Sequence, residues 1–201
     1  EIRPRDWSSD VCSSDLVASL AGAFGCRVVA TRRHPVGGAA PGPVGAADET
    51  DDDVRPPLPP RVDRLLGPDG LAELLAASDF VVLAAPLTPE TEGLIDEAAL
   101  AAMRPGAWLV NVARGCLVDE RALLRALDDG QLGGAILDTF REEPQLPDSP
   151  FWQLPNVIVT PQTSWSSGRV LDRSIGLFCD NLRRFAAGEP LRNVVDPEAG
   201  D

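Results

Sequence analysis

The chain has 201 residues, 44% hydrophobic content and a formal net charge of -13 at pH 7, so it can bury one sizeable core. The negative charge argues against nucleic-acid and anionic-membrane partners, because both bind a concentrated basic face. Four widely separated cysteines without a CxxC pair indicate neither a metal site nor a disulfide framework, and reduced thiols in a cytoplasmic protein fit best.

The first predicted elements are a helix over Leu16–Phe24 and a short apolar strand over Arg27–Ala30. The stretch Pro35–Pro60 that follows is dense in Pro and Gly, which predicts a long loop or excursion. Its acidic run Glu49–Asp53 is interpreted as solvated, without a function of its own.

Four further apolar runs rich in Val, Ile and Leu alternate with helix-period segments. They cover Phe80–Ala84, Trp108–Val112, Ala135–Leu137 and Val157–Val159, and each is typical of a strand buried on both faces. Alternation of this kind predicts βαβ units. We therefore expect a doubly wound α/β fold, a Rossmann-like nucleotide-binding domain with a parallel sheet and helices on both faces.

Two helices between these strands have explicit start and stop signals. Asp96 can cap a helix that Pro105-Gly106 ends. Asp119 likewise starts a helix that Gly130 ends. These signals predict both helices independently of the strands around them.

A longer amphipathic helix is predicted near the C-terminus, ending close to Gly188-Glu189-Pro190. Its apolar face is typical of packing rather than chemistry, and it could dock against a neighbouring domain or subunit. The spaced positions are Val170, Leu171, Ser174, Leu177, Phe178 and Leu182.

Four stretches carry the chemistry of the sequence. Arg114 stands just after the strand Trp108–Val112, at a strand end where ligands of open α/β sheets bind. The stretches are residues 85–95, 111–120, 137–144 and 155–164. In this order, and over about Val17 to Pro197, they resemble the D-isomer-specific 2-hydroxyacid dehydrogenase family, which includes glyoxylate, hydroxypyruvate and phosphoglycerate dehydrogenases.

The resemblance implies hydride transfer between a nicotinamide cofactor and C2 of a 2-hydroxy or 2-oxo acid. Arg114 matches the family arginine that binds the substrate carboxylate and carbonyl, a task suited to a planar, permanently charged fork. Glu143 matches the acid that hydrogen-bonds the catalytic histidine and favours its charged form. Asp138 matches the residue that receives the nicotinamide carboxamide. The backbone expected to line the ribose side of that pocket belongs to Ala85, Pro86, Val112 and Ala113.

The proton donor departs from the family pattern. In the family a Pro-His pair follows the last strand, and its histidine acts as general acid or base. This chain has Pro161-Gln162 instead, and its one histidine, His34, is predicted to lie on the adenosine side of the cofactor. Glutamine cannot donate and recover a full proton at neutral pH. We therefore expect turnover to be reduced by a factor on the order of 10²–10⁴.

The residues after the strand Arg27–Ala30 bear on the choice of cofactor. An acidic residue there would hold the ribose 2′-OH of NAD, but the sequence has Arg32 and Arg33. Two guanidinium groups suit a 2′-phosphate, which favours NADP. Solvated arginines with NAD bound remain the alternative.

The glycine-rich loop of a dinucleotide site is absent before the first helix, where G-x-G-x-x-G is expected. Residues 6–16 instead resemble a translated sequencing adapter. We therefore interpret residues 1–16 as non-native, 17–163 as a partial dinucleotide-binding domain and 164–201 as a C-terminal helix and tail. The family's substrate domain would precede this chain, and the intact family member is expected to be a homodimer.

Two functions remain open at this stage. The chain is a fragment of an oxidoreductase that acts on a small 2-hydroxy or 2-oxo acid with NADP or NAD, impaired at position 162. Alternatively, it is an NAD(P)-binding or sensing protein that has given up turnover.

Overall fold

The structure, a computed structural model, describes residues 13–31, 62–164, 166, 168 and 170–194. The chain divides into two compact units. The first comprises Glu1–Asp79 with Ala102–Arg104, and the second comprises Phe80–Ala101 with Pro105–Asp201. The domain boundaries predicted after residues 16 and 163 stay a prediction. The predicted loop 35–60 with its acidic run lies outside the described residues.

The first unit contains α1, β1, β2 and α2. Helix α1 begins earlier than predicted, so that Ser13 to Leu16, assigned above to the non-native segment, form its first turn. It ends before Gly25, whose φ of 79° suits a residue without a Cβ. The bounds are α1 Ser13–Ala23, β1 Val29–Thr31, β2 Arg64–Leu66 and α2 Leu71–Ala77.

Strand β2 was not predicted from the sequence. It pairs in parallel with β1, with Val29 opposite Arg64. Side chains secure both ends of this pair, since Val28 N donates to Asp63 Oδ2 (2.8 Å) and Thr31 Oγ1 donates to the Gly67 carbonyl (2.9 Å). Three residues with one arginine have too little apolar pattern to predict a strand, and only the pairing partner specifies it.

The second unit is built on a four-stranded parallel sheet of order β3-β4-β5-β6. Every neighbouring pair is parallel, which confirms the predicted sheet. The strands are β3 Phe80–Leu83, β4 Ala107–Asn111, β5 Leu132–Leu137 and β6 Val157–Val159. Three helices belong wholly or mainly to this unit: α3 Glu97–Ala102, α4 Glu120–Asp128 and α5 Val170–Ala187.

Burial on both faces holds for β5 but not for the other strands of this sheet. Leu109 in β4 and Ala135 in β5 have no exposed surface. By contrast, Phe80 in β3 is 66% exposed and Ile158 in β6 is 51% exposed. Strand β4 alternates between buried and half-buried residues, β3 alternates between buried and exposed ones, and β6 has no buried residue. An apolar run therefore did not by itself reveal which strands are central.

The capping signals for α3 and α4 are confirmed. Asp96 Oδ1 accepts a hydrogen bond from Ala99 N (2.8 Å). Asp119 Oδ1 accepts hydrogen bonds from the first-turn amides of α4, Arg121 N and Ala122 N, both at 3.0 Å. Such caps satisfy amides that have no partner within the helix. Helix α4 then ends before Gly130, which has φ 73°.

Helix α5 confirms the predicted C-terminal helix and ends before Gly188, as expected. Its large apolar side chains recur every three or four residues along one face and are exposed. These are Leu171, Ile175, Phe178, Leu182 and Phe185. Among the helices that the structure describes, none has the length and apolar character to cross a membrane.

Candidate active site

The segments that follow the four parallel strands lie at one edge of the sheet, because parallel strands have their carboxyl ends on the same side. These segments contain most of the site residues predicted from the sequence. They are Ala85 and Pro86 after β3, Val112, Ala113 and Arg114 after β4, Asp138 and Glu143 after β5, and Gln162 after β6.

Asn111 shapes the turn that presents Arg114. Its side chain is 1% exposed, with Oδ1 accepting from Ala113 N (3.0 Å) and Nδ2 donating to the Arg114 carbonyl (2.9 Å). Arg114 is exposed and donates from Nη1 to the Ala113 carbonyl (2.8 Å). Arg114 is therefore exposed at the carboxyl edge of the sheet, on a turn whose backbone is held by the hydrogen bonds of Asn111.

Sequence reasoning missed the role of Asn111. The available signal was a polar residue at the end of an apolar strand, just before the turn that contains Arg114. Buried amides in proteins are almost always hydrogen-bonded, so such a residue indicates a fixed local geometry.

Asp138 is the most buried carboxylate of the site, with 3% exposure. Its Oδ1 accepts from Thr160 Oγ1 (2.5 Å) and Thr163 N (2.9 Å), and its Oδ2 accepts from Ser164 N (2.9 Å). Burial by itself would raise the pKa of Asp138. The hydrogen bonds from the side chains of Ser164 and Thr160 and from the backbone outweigh burial and lower the pKa to about 2.

Gln162 lies between the residues that bind Asp138. Its side chain is exposed, and its backbone has φ 51°, in the left-handed region that residues with a Cβ rarely adopt. Gln162 N donates to the Thr160 carbonyl (3.0 Å). The residue at the position where the family pattern has its histidine is thus carried on a tight, unusual turn.

Glu143 binds its own loop in this structure. Its Oε1 accepts from Phe140 N (3.1 Å), and the carboxylate is otherwise exposed. The same loop is tied to neighbouring segments through Arg141, whose backbone N donates to Glu120 Oε1 (2.6 Å). The Arg141 side chain donates from Nη2 to Glu92 Oε1 (2.8 Å). Glu120 and Glu92 are further residues that the sequence analysis did not single out.

The loop after β3 is held by Thr91. Its hydroxyl donates to the Pro86 carbonyl (2.8 Å) and accepts from Thr88 N (2.7 Å). Small Ala85 and Pro86 are thereby fixed at the strand end, where the resemblance places the ribose side of the cofactor.

Two predicted features receive no structural account. Arg32 and Arg33, expected to face the adenosine end of the cofactor, lie outside the described residues, as does His34.

Within the described part of the chain there is no group of three or more His, Cys, Asp or Glu side chains that could hold a metal ion.

An open parallel sheet with polar groups at its carboxyl edge defines a nucleotide-binding α/β domain, and comparisons with known proteins narrow this class. A family model for the "D-isomer specific 2-hydroxyacid dehydrogenase, NAD binding domain" matches residues 55–164. The chain belongs to this family.

Relatives and solved structures agree with the match. Glycerate dehydrogenase of Methylorubrum extorquens is 43% identical over 133 residues, which make up 64% of this chain and 42% of that protein. A family member from Xanthobacter autotrophicus, crystallised with NADPH and MES, has a TM-score of 0.74 at 33% identity, covering 92% of this chain and 66% of that one.

A second solved structure is the NADPH-dependent glyoxylate/hydroxypyruvate reductase of Sinorhizobium meliloti, in complex with NADP and sulfate. Its TM-score is 0.76 at 30% identity, and the match covers 93% of this chain and 53% of that one. The present chain spans less than half the length of the curated relatives it matches.

The types of residue at the sheet edge suit the binding of a nicotinamide nucleotide. Ala85 and Ala113 are small, so their side chains take up little space at the strand ends. Thr139, next to Asp138, has a buried hydroxyl without a hydrogen-bond partner in the described part of the chain. A buried polar atom of this kind is one that a bound polar group can satisfy.

Proposed function

We propose that this chain is the cofactor-binding part of an NAD(P)-dependent dehydrogenase that acts on a small 2-hydroxy or 2-oxo acid, with turnover impaired at position 162. One observation carries the proposal. Arg114, Asp138 and Gln162 follow three neighbouring parallel strands and so meet at the same edge of the sheet. Cofactor and substrate are expected to meet there.

Arg114 is proposed to bind the substrate. Its planar guanidinium can hold the carboxylate of a 2-oxo acid through two parallel hydrogen bonds and polarise the adjacent carbonyl. When bound, the reduced nicotinamide supplies the hydride. The braced turn at Asn111 limits the motion of Arg114, which reduces the entropy lost when the acid binds.

Gln162 is proposed to bind the substrate carbonyl without delivering a proton. Its amide N–H can donate a hydrogen bond, but the group does not titrate near neutral pH. Glu143 would stabilise a charged imidazole in the family pattern, but position 162 is glutamine in this chain, and Glu143 accepts a hydrogen bond from the Phe140 amide. The site is therefore competent for binding and weak in general acid–base catalysis.

For the cofactor we propose NADP over NAD. Arg32 and Arg33 follow β1 closely in sequence, and guanidinium groups at that place suit a 2′-phosphate. Two structural neighbours were crystallised with NADPH or NADP, which supports this choice. A homodimer of the intact protein is part of the same proposal.

A catalytically weak NAD(P)-binding or sensing protein is the second candidate, and Gln162 is the observation in its favour. The two functions differ in one measurable respect. A sensor binds the cofactor without reducing any 2-oxo acid, whereas an impaired dehydrogenase retains slow turnover.

The test uses protein expressed from the complete gene. NADP and NAD are titrated by calorimetry, and the oxidation of the reduced cofactor is followed with glyoxylate and hydroxypyruvate. Gln162→His should raise turnover by a factor on the order of 10²–10⁴, whereas the control Gln153→His, in an exposed loop, should not. No rise with Gln162→His would contradict the proposed impairment. Tighter binding of NAD would contradict the NADP assignment, and absence of cofactor binding would contradict both functions.

A further inference from the structure

The hydrogen bonds of Asp138 converge from both sides of Gln162. Thr160, two residues before Gln162, donates from its hydroxyl. Thr163 and Ser164, the two residues after Gln162, donate from their backbone amides. Asp138 is thus bonded to the whole turn that carries position 162, from a strand more than twenty residues earlier in the sequence.

These donors occupy most of the carboxylate. An ionised carboxyl group has about four acceptor positions on its two oxygens, and the chain itself supplies one hydroxyl and two amide donors. About one position is left for a donor from a bound cofactor. The bonds inside the chain are therefore compatible with the carboxamide role that the resemblance implies for Asp138.

The backbone of Gln162 needs such support. A φ of 51° is unfavourable for glutamine and persists only where the surrounding structure imposes it. The donors on either side of Gln162 are the groups that Asp138 holds, so the carboxylate imposes this conformation on the turn.

We propose that Asp138 is a positioning residue: its carboxylate clamps the turn 160–164 and thereby sets where the side chain at position 162 meets the substrate. The clamp itself is independent of the dehydrogenase assignment. Its consequence for catalysis rests on the proposed function, because only there does position 162 touch a reacting carbonyl.

The clamp is tested without cofactor, by amide hydrogen exchange in Asp138→Asn and Thr160→Val. The amides of Thr163 and Ser164 should exchange about tenfold faster or more, as expected for the loss of a charge-assisted hydrogen bond. Core amides such as Ala135 should keep their rates, which excludes global unfolding. Thr160→Ser restores the hydroxyl and should restore slow exchange, and the exposed Asp129→Asn is the control for loss of a carboxylate. Unchanged exchange in Thr160→Val would overturn the clamp.

Positioning is separated from a merely structural role by kinetics in the Gln162→His background. Adding Thr160→Val should lower kcat by a factor on the order of ten or more with little change in KM, because small misplacements of a reacting group are costly. Adding Thr160→Ser should restore kcat. An unchanged kcat alongside faster exchange would overturn the positioning role.

The proposed function is tested separately by affinity. NADP+ and NAD+ are titrated against the wild type. If neither ligand binds the wild type, the dehydrogenase proposal fails while the exchange result still decides the clamp.

Discussion

Gly115 lies directly against the Phe140 carbonyl, so closely that a Cβ at position 115 would overlap the Phe140–Arg141 peptide. The glycine follows Arg114, and the peptide belongs to the loop that carries Glu143. The two loops of the candidate site thus pack backbone to backbone, and glycine is required by this close approach rather than by a positive φ.

Gly115→Ala should therefore destabilise the protein by about 1–3 kcal/mol, because the overlapped peptide must shift. Gly176→Ala is the matched control. Gly176 lies inside α5 with open space around it, so alanine there should stabilise by about 0.5–1 kcal/mol. Urea unfolding of both variants measures the difference. Equal stability changes would show that the close approach is not important.

Glu120 should hold the loop that carries Glu143. Glu120→Ala removes the acceptor of the Arg141 amide and should cost about 0.5–1.5 kcal/mol, with faster exchange of that amide. Glu120→Gln keeps an acceptor oxygen and should behave nearly as the wild type. If both variants exchange alike, the hydrogen bond does not restrain the loop.

Stability should fall in acid through Asp138. Its folded-state pKa is lowered from 3.8 to about 2, so its contribution is present above the unfolded-state value and is lost as pH falls from about 4 towards 2. Asp138→Asn should flatten the pH dependence of the unfolding free energy in this window. The control Asp129→Asn should leave the Asp138 component in place, and identical profiles for the wild type and Asp138→Asn would refute the expectation.

Exposed and buried apolar residues should differ sharply in their effect on folding. Leu123 in α4 is 1% exposed, so Leu123→Ala should cost about 2–5 kcal/mol. Phe178 in α5 is 67% exposed, and Phe178→Ser should change stability by about 0.5 kcal/mol or less. Thermal unfolding of the two variants tests this contrast. A large loss for Phe178→Ser would mean that α5 packs more tightly than its exposure indicates.

Local signals predicted α3, α4 and α5 well, whereas α2 was not predicted. Asp96 and Asp119 cap their helices through contacts within three residues, so sequence alone contains both partners of each hydrogen bond. Strand β2 was missed, because Arg64–Leu66 is specified by its pairing with β1 across more than thirty residues. The exposure of Phe80 was missed for a related reason, since an apolar run does not show which strands lie at the outside of a sheet.

By itself, the sequence determined the α/β class, the four strands of the larger sheet in chain order with the helices α3, α4 and α5, the family, and the presence of glutamine at position 162. These depend on residue types and on patterns within short segments. The tertiary structure alone decided that Asp138 binds the turn around Gln162 and that Arg141 is tied to Glu120. Those contacts join residues more than twenty positions apart, and only the parallel sheet, by collecting its strand ends at one edge, brings them within hydrogen-bonding distance.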